Sequence, residues 1–128
     1  MHEIKFRGLV SSENRKHECV FNTWIYGSLH HFYDDFFIYY NGEWIRVYTD
    51  SVGEHTSLKD KNGTDIYEGD VVKVKIEMTG MRILGKVVFQ EAMFCCITPI
   101  LPNDSIPLYG ADEIEVIGNI YQNPELLE

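Results

Sequence analysis

"FFIYYNGEWIRVY", Phe36 to Tyr48, sets two runs of β-formers on either side of Asn41-Gly42. Asn-Gly is the pair that a two-residue type I′ turn selects, because both central residues need positive φ. The stretch therefore reads as a hairpin, with strands near Asp35–Tyr40 and Glu43–Thr49. Alternate side chains of a strand face opposite ways. One buried face cannot take Phe32, Tyr33, Phe36, Phe37, Tyr39, Tyr40, Trp44 and Tyr48 together, so about half of these rings are expected to face outward.

Upstream, "HEIKFRGLV" alternates, with Ile4 and Phe6 on one face and Glu3, Lys5 and Arg7 on the other, as a half-buried strand does. "SSENRKHE" reads as a polar loop. "CVFNTWIYGSLHHFY" supplies β-formers without helical spacing, with Trp24 and Tyr26 on a common face. Downstream, "TDSVGEH" is a connector with room for one helical turn, and it marks the subdomain boundary. Residues 1–53 form an N-terminal antiparallel sheet around the hairpin, and 54–128 form a second β subdomain.

That second half begins with "TSLKDKNGTDIYEGDVVKV", Thr56 to Val74, where Asn62-Gly63 and Glu68-Gly69-Asp70 give tight turns. "DVVKVKIEM" alternates, with Val72, Val74 and Ile76 inward and Lys73, Lys75 and Glu77 outward. "RILGKVVFQ" and "MFCCITPI" are the next two strands, joined through Gln90–Ala92. "LPNDSIPLYG", with two prolines, reads as a loop. "DEIEVIGNIY" is a last strand with Ile114, Val116 and Ile120 expected inward and a bulge at Gly118. In "NPELLE", Asn123 is placed as an N-cap and Pro124 as the first residue of a short C-terminal helical turn. The fold class expected is mainly β, with the second half a small SH3-like barrel. Such a barrel carries no function by itself.

The chain has 128 residues, enough for one domain or two small subdomains with a shared core, and 45% of them are hydrophobic. Eleven basic against 20 acidic side chains give a formal charge of −9, which disfavours general binding to nucleic acid or anionic membranes. The three cysteines form no CxxC pair, so reduced thiols are expected. "MHEIKFRGLV" has no apolar signal core, and no apolar run approaches a membrane span. A soluble, cytoplasmic protein is expected.

Three blocks in order, "EIKFRG" at the start, Ser57 to Asp70 ("SLKDKNGTDIYEGD") and Ile114 to Leu127 ("IEVIGNIYQNPELL"), resemble the YopX family of phage- and prophage-encoded proteins. Ser57 departs from the pattern at a position where glycine is common. The resemblance implies a phage or prophage origin, a location in the host cytoplasm, a β-rich fold spanning a single YopX-type domain, and oligomerisation. It supplies no catalytic residues to carry over.

An EF-hand calcium loop needs glycine sixth and glutamate twelfth. Counted from Asp60, Asn62 and Thr64 fit the third and fifth places, but the sixth residue is Asp65 and the twelfth is Val71. A β-loop site from Asp60, Asp65, Glu68 and Asp70 competes with a plainer reading, in which Asp60 and Asp65 bond their own backbone and Glu68 and Asp70 are solvated. His17 and Cys19 share a strand face, yet with His30, His31, Cys95 and Cys96 they lack the paired spacing of zinc sites. One of Cys95 and Cys96 is expected in the core and the other partly exposed. Nucleophile–base pairs (Cys19 with His17, Cys95 with His55) have no supporting motif, and neither do the carboxylate pairs Asp34-Asp35 and Asp112-Glu113. No catalytic, cofactor or metal residue is assigned, and the chain is read as a non-enzyme.

Two surfaces remain. Lys73, Lys75, Arg82 and Lys86, bordered by Tyr67 and Phe89, form a local basic face that would suit a nucleic-acid-associated regulator; Glu77 interrupts it. The surplus rings Phe36, Phe37, Tyr39, Tyr40, Trp44 and Tyr48 suit a protein interface better. The leading expectation is a protein-interaction or self-assembly module whose partner is a second copy or a host or phage protein.

Overall fold

The computed structural model describes residues 4–14, 22–76, 79–109, 111 and 113–127. They form two compact units, Met1–His55 and Thr56–Glu128. The fold is mainly β, in antiparallel sheets.

In the first unit, β1 (Phe6–Leu9) pairs with β2 (Trp24–Gly27), and β3 (Leu29–Phe32), β4 (Asp35–Tyr40) and β5 (Glu43–Val47) form a three-stranded meander. The β4–β5 turn is the expected one: Asn41 and Gly42 sit at φ 50° and 80°. A 3₁₀ turn at Thr49–Ser51 leads into β6 (Gly53–Lys59), whose first residues pair with β1. Val10, Ile25, Ile38, Ile45 and Val47 make the core, with Phe6, Leu29, Phe36 and Tyr40 packed against it. Gly27 has to be glycine, because a Cβ there would run into the Tyr39 carbonyl.

Two expectations for the first strand change. Ile4 lies before β1 and is 71% exposed, whereas Arg7 is buried at 5%. The guanidinium stacks 4.1 Å from the Trp24 ring centroid. A planar, weakly hydrated cation on an indole face tolerates burial that a solvated charge does not.

In the second unit, β7 (Asp65–Tyr67) lies beside β6, where Thr56 Oγ1 donates to the Ile66 carbonyl at 2.8 Å. Then β8 (Asp70–Lys75), β9 (Arg82–Gln90), β10 (Met93–Thr98), β11 (Leu101–Pro107) and β12 (Ile114–Asn119) build a sheet ordered β11-β10-β9-β8-β12. Among the described pairings this sheet is open rather than closed into a barrel. Ile66, Val72, Val74, Val87, Cys96, Leu108 and Ile114 form its core.

The segment expected as a loop is β11. Its two prolines are tolerated because β11 lies at the sheet edge, where a missing N–H costs no ladder bond. The register shift between Val116 and Gly118 is the bulge expected there. Pro124–Leu127 is the short C-terminal turn, in 3₁₀ form. Asn123 does not cap it with its side chain; Asn123 Oδ1 accepts the Asn119 N–H at 3.2 Å.

Candidate functional site: an aromatic sheet face and an acidic loop

The meander in the first unit sorts its rings by register. Leu29, Ile38 and Ile45 form one cross-strand row, and His31, Phe36 and Val47 another. These rows, with Tyr40, lie on the core side. The alternate rows, His30 with Phe37 and Arg46, and Tyr39 with Trp44, lie on the outer side. Of the six residues assigned to an interface from sequence, Phe36 and Tyr40 therefore pack inward. Phe37, Tyr39 and Trp44 face out, and Tyr48 lies beyond β5, its hydroxyl accepting the Ser12 N–H at 3.3 Å.

His30 and Phe32 complete the outer face; Phe32 belongs to the surplus of rings visible in the sequence, whereas His30 carries no such signal, and neither lies in the Asn-Gly hairpin to which the interface was assigned. The His30 and Trp44 rings are 5.4 Å apart, and Tyr39 meets Trp44 edge-on at 5.0 Å. His30, Phe32, Phe37 and Trp44 line a shallow concavity of about 290 Å³. Phe32, Tyr39 and Trp44 remain 55%, 47% and 48% exposed. Charge on this face is internally matched: Arg46 lies over Phe37 at 5.6 Å and bonds Glu13 at 2.6 Å and Asp35 at 3.2 Å. What the face offers is apolar ring area held in fixed geometry.

The acidic loop is organised differently. Asp60 is buried, and its carboxylate accepts three backbone N–H groups: Asn62 at 2.8 Å, Thr64 at 2.9 Å and Val116 at 2.9 Å. Burial alone would push its carboxyl up. The N–H groups of Val116, Thr64 and Asn62, with Lys61 nearby, outweigh that and hold it below the usual carboxylate value. Asp65 pairs with Lys59 at 2.8 Å. Asp70 was expected in solvent but is 2% exposed, and its Oδ2 accepts the Tyr67 N–H at 2.8 Å. Among the described residues no group of three or more His, Cys, Asp or Glu side chains is placed to hold a metal ion.

The remaining candidates are placed as follows. His17, Cys19 and Asp112, and with them Glu77 beside the basic face, lie outside the described residues. Cys95 and Cys96 are both buried, so neither is the partly exposed member expected of the pair. Burial raises the Cys96 thiol to about 11. Tyr67 is buried, and the Phe89 ring packs at a tilt against Phe94 with centroids 4.9 Å apart.

Lys73, Lys75, Arg82 and Lys86 do share one face, since Lys75 opposes Arg82 and Lys86 opposes Val71 in register. Carboxylates are interleaved with them. Glu115 stands opposite Lys73 on β12, and Arg82 pairs with Glu113 at 3.1 Å.

These features describe a small all-β protein of two units, with an outward aromatic face on one and a tightly bonded acidic loop on the other. The chain belongs to the YopX protein family, whose sequence profile matches residues 5–128. It is 30% identical to the SPbeta prophage-derived uncharacterized protein YopX of Bacillus subtilis (strain 168), over 80% of this chain and 91% of that one. The crystal structure of protein EF1440 from Enterococcus faecalis has a similar fold, with a TM-score of 0.56 over 98% of this chain and 99% of that one, at 22% identity.

The middle and closing family blocks meet in the second unit. Asp60 accepts from Val116, Asp70 opposes Asn119 in register, and Ile120 N–H donates to the Gly69 carbonyl at 2.9 Å. Ser57, where the resemblance leads to an expectation of glycine, sits at φ 69°. That left-handed conformation suits glycine far better than serine.

Proposed function

We propose that this YopX-family chain is a non-enzymatic protein-interaction module of the host cytoplasm that assembles with itself through the outer face of β3–β5. The observation that carries this is the set of exposed rings, Phe32, Tyr39 and Trp44, beside Phe37 and His30 on one rigid sheet face. Clustered exposed aromatics of this kind mark protein interfaces, where Trp and Tyr act as energetic anchors. Arg46 is already satisfied by Glu13 and Asp35, so the face favours a partner surface that is apolar rather than charged. A second copy of the chain supplies such a surface, because the rings can pack offset against their own image. The second unit, which we read as SH3-like, acts as the scaffold.

Analytical ultracentrifugation of wild type and Trp44→Ala tests this. A defined oligomer that Trp44→Ala reduces to monomer supports the reading. A wild-type monomer at all concentrations overturns self-assembly and leaves the face for a host or phage protein.

A nucleic-acid role for Lys73, Lys75, Arg82 and Lys86 is the weaker reading, because Glu113 and Glu115 stand among these cations. Filter binding of labelled DNA and RNA at low salt separates the two. Retention that disappears in Lys73→Glu/Lys75→Glu would favour it.

A further inference from the structure

A cavity of about 820 Å³ opens on the outer face of the second unit's sheet, which is the size of a pocket for a small molecule or a short peptide. Its floor contains the cross-strand row Lys86, Ile97 and Ser105, fixed by the β9–β10 and β10–β11 registers. The C-terminal turn contributes Leu127 as part of the wall, and Gln90 and Glu91 stand at the β9–β10 turn.

Several polar groups converge on this space unused. Lys86 is half-buried, and among the described residues no carboxylate pairs with it. The side chains of Thr98, Ser105 and Gln90 likewise make no hydrogen bond among the described residues. The Lys86 stem lies along the sheet while its ammonium, unpaired by any described carboxylate, stays available to a ligand carboxylate.

The charge balance narrows the ligand. Glu91 and Asp104 also line the cavity, and the whole chain carries −9, so a polyanion is disfavoured. A zwitterion with an apolar body fits both signs. Lys86 to Gln90 is four residues along a strand, about 13 Å at roughly 3.3 Å per residue, close to the span of an extended tetrapeptide.

We propose that this cavity binds a short apolar peptide with free termini. The peptide carboxylate bonds the Lys86 ammonium, and its backbone amides meet Ser105 and Gln90. Its side chains lie on Ile97 and Leu127, and its ammonium points toward Glu91. The site is independent of the hairpin face.

Isothermal titration of the full chain with the tetrapeptide Leu-Val-Ala-Leu, as the free acid and as the C-terminal amide, tests this. Saturable 1:1 binding of the free acid is expected, with the amide about tenfold weaker, the size of one charge-assisted hydrogen bond. Lys86→Gln, at a half-exposed position that tolerates it, should weaken the free acid to the level of the amide and remove the difference between them. Leu127→Asp should weaken both, and Trp44→Ala should change neither. The proposal is overturned by no saturable binding at millimolar peptide, by equal binding of acid and amide to wild type, or by loss of binding in Trp44→Ala.

Discussion

The Asp60 loop turns its polar side chains onto its own backbone, whereas the hairpin sheet turns its rings to solvent. Both regions are dense in side chains that invite a functional reading. The loop's carboxylates are consumed by N–H groups: three on Asp60 and the Tyr67 N–H on Asp70. A saturated, buried carboxylate has little left for a metal or a substrate. The outer hairpin face has no such internal use for Tyr39 and Trp44 beyond contact with each other and with His30. Density of chemistry in a sequence therefore points to function only where the fold leaves it unspent.

That contrast can be broken at its strongest point. Asp60→Ala strands three N–H donors and should destabilise the chain by about 3 kcal/mol, read as a lower urea midpoint. Asp60→Asn keeps part of the acceptor geometry and should cost less. A loop whose carboxylates served a metal instead would lose little stability on substitution.

On the other side of the comparison, Trp44→Ala should weaken self-association by about 2 kcal/mol, roughly 30-fold, with the urea midpoint unchanged. A drop in stability would mean that Trp44 is a packing residue and not an anchor.

Acid titration sharpens the first half of the contrast. The Asp60 carboxyl is held below its ordinary 3.8 in the folded chain, so its contribution is present above that pH and is lost as pH falls through the folded value. Wild type should lose stability faster than Asp60→Asn as pH drops below about 4. Parallel curves would remove Asp60 from the account.

Ser57→Gly should stabilise the chain by about 1 kcal/mol, because it relieves a left-handed serine at φ 69°. Thermal denaturation checks it. The smallest expected effect is on cysteine chemistry: Cys95 and Cys96 should stay silent to Ellman's reagent at pH 8 until the chain unfolds, being buried, with the Cys96 thiol raised to about 11.

Local signals carried well from sequence to structure. Asn41-Gly42 predicted its turn because the left-handed requirement is visible in residue type. Gly118 marked its bulge for a different reason, since a Cβ there would run into the Asn123 side chain. Alternation in "DVVKVKIEM" found Val72 and Val74, both fully buried. Longer-range facts were not legible. Arg7 reads as a solvated charge until the Trp24 ring, diagonal to it on β2, is known to stack on its guanidinium. β11 reads as a loop because prolines exclude a central strand, and nothing local says that the segment will lie at an edge. The inward placement of Phe36 and Tyr40, against the outward placement of Tyr39 and Trp44, follows from parity that the hairpin fixes. Which parity faces the core depends on β1 and β2. The cavity beside Lys86 left no trace in sequence, since its floor comes from three strands and part of its wall from the C-terminal turn.

The most direct test of the aromatic face against the acidic loop is light scattering behind a sizing column, on wild type and Trp44→Ala, at low and 0.5 M salt (on the order of a few ångström of screening length) and with chelator. The account predicts a defined wild-type oligomer that ignores salt and chelator and a Trp44→Ala chain shifted toward monomer. An oligomer that dissolves with chelator and survives Trp44→Ala would contradict it, returning the Asp60 loop as the working site.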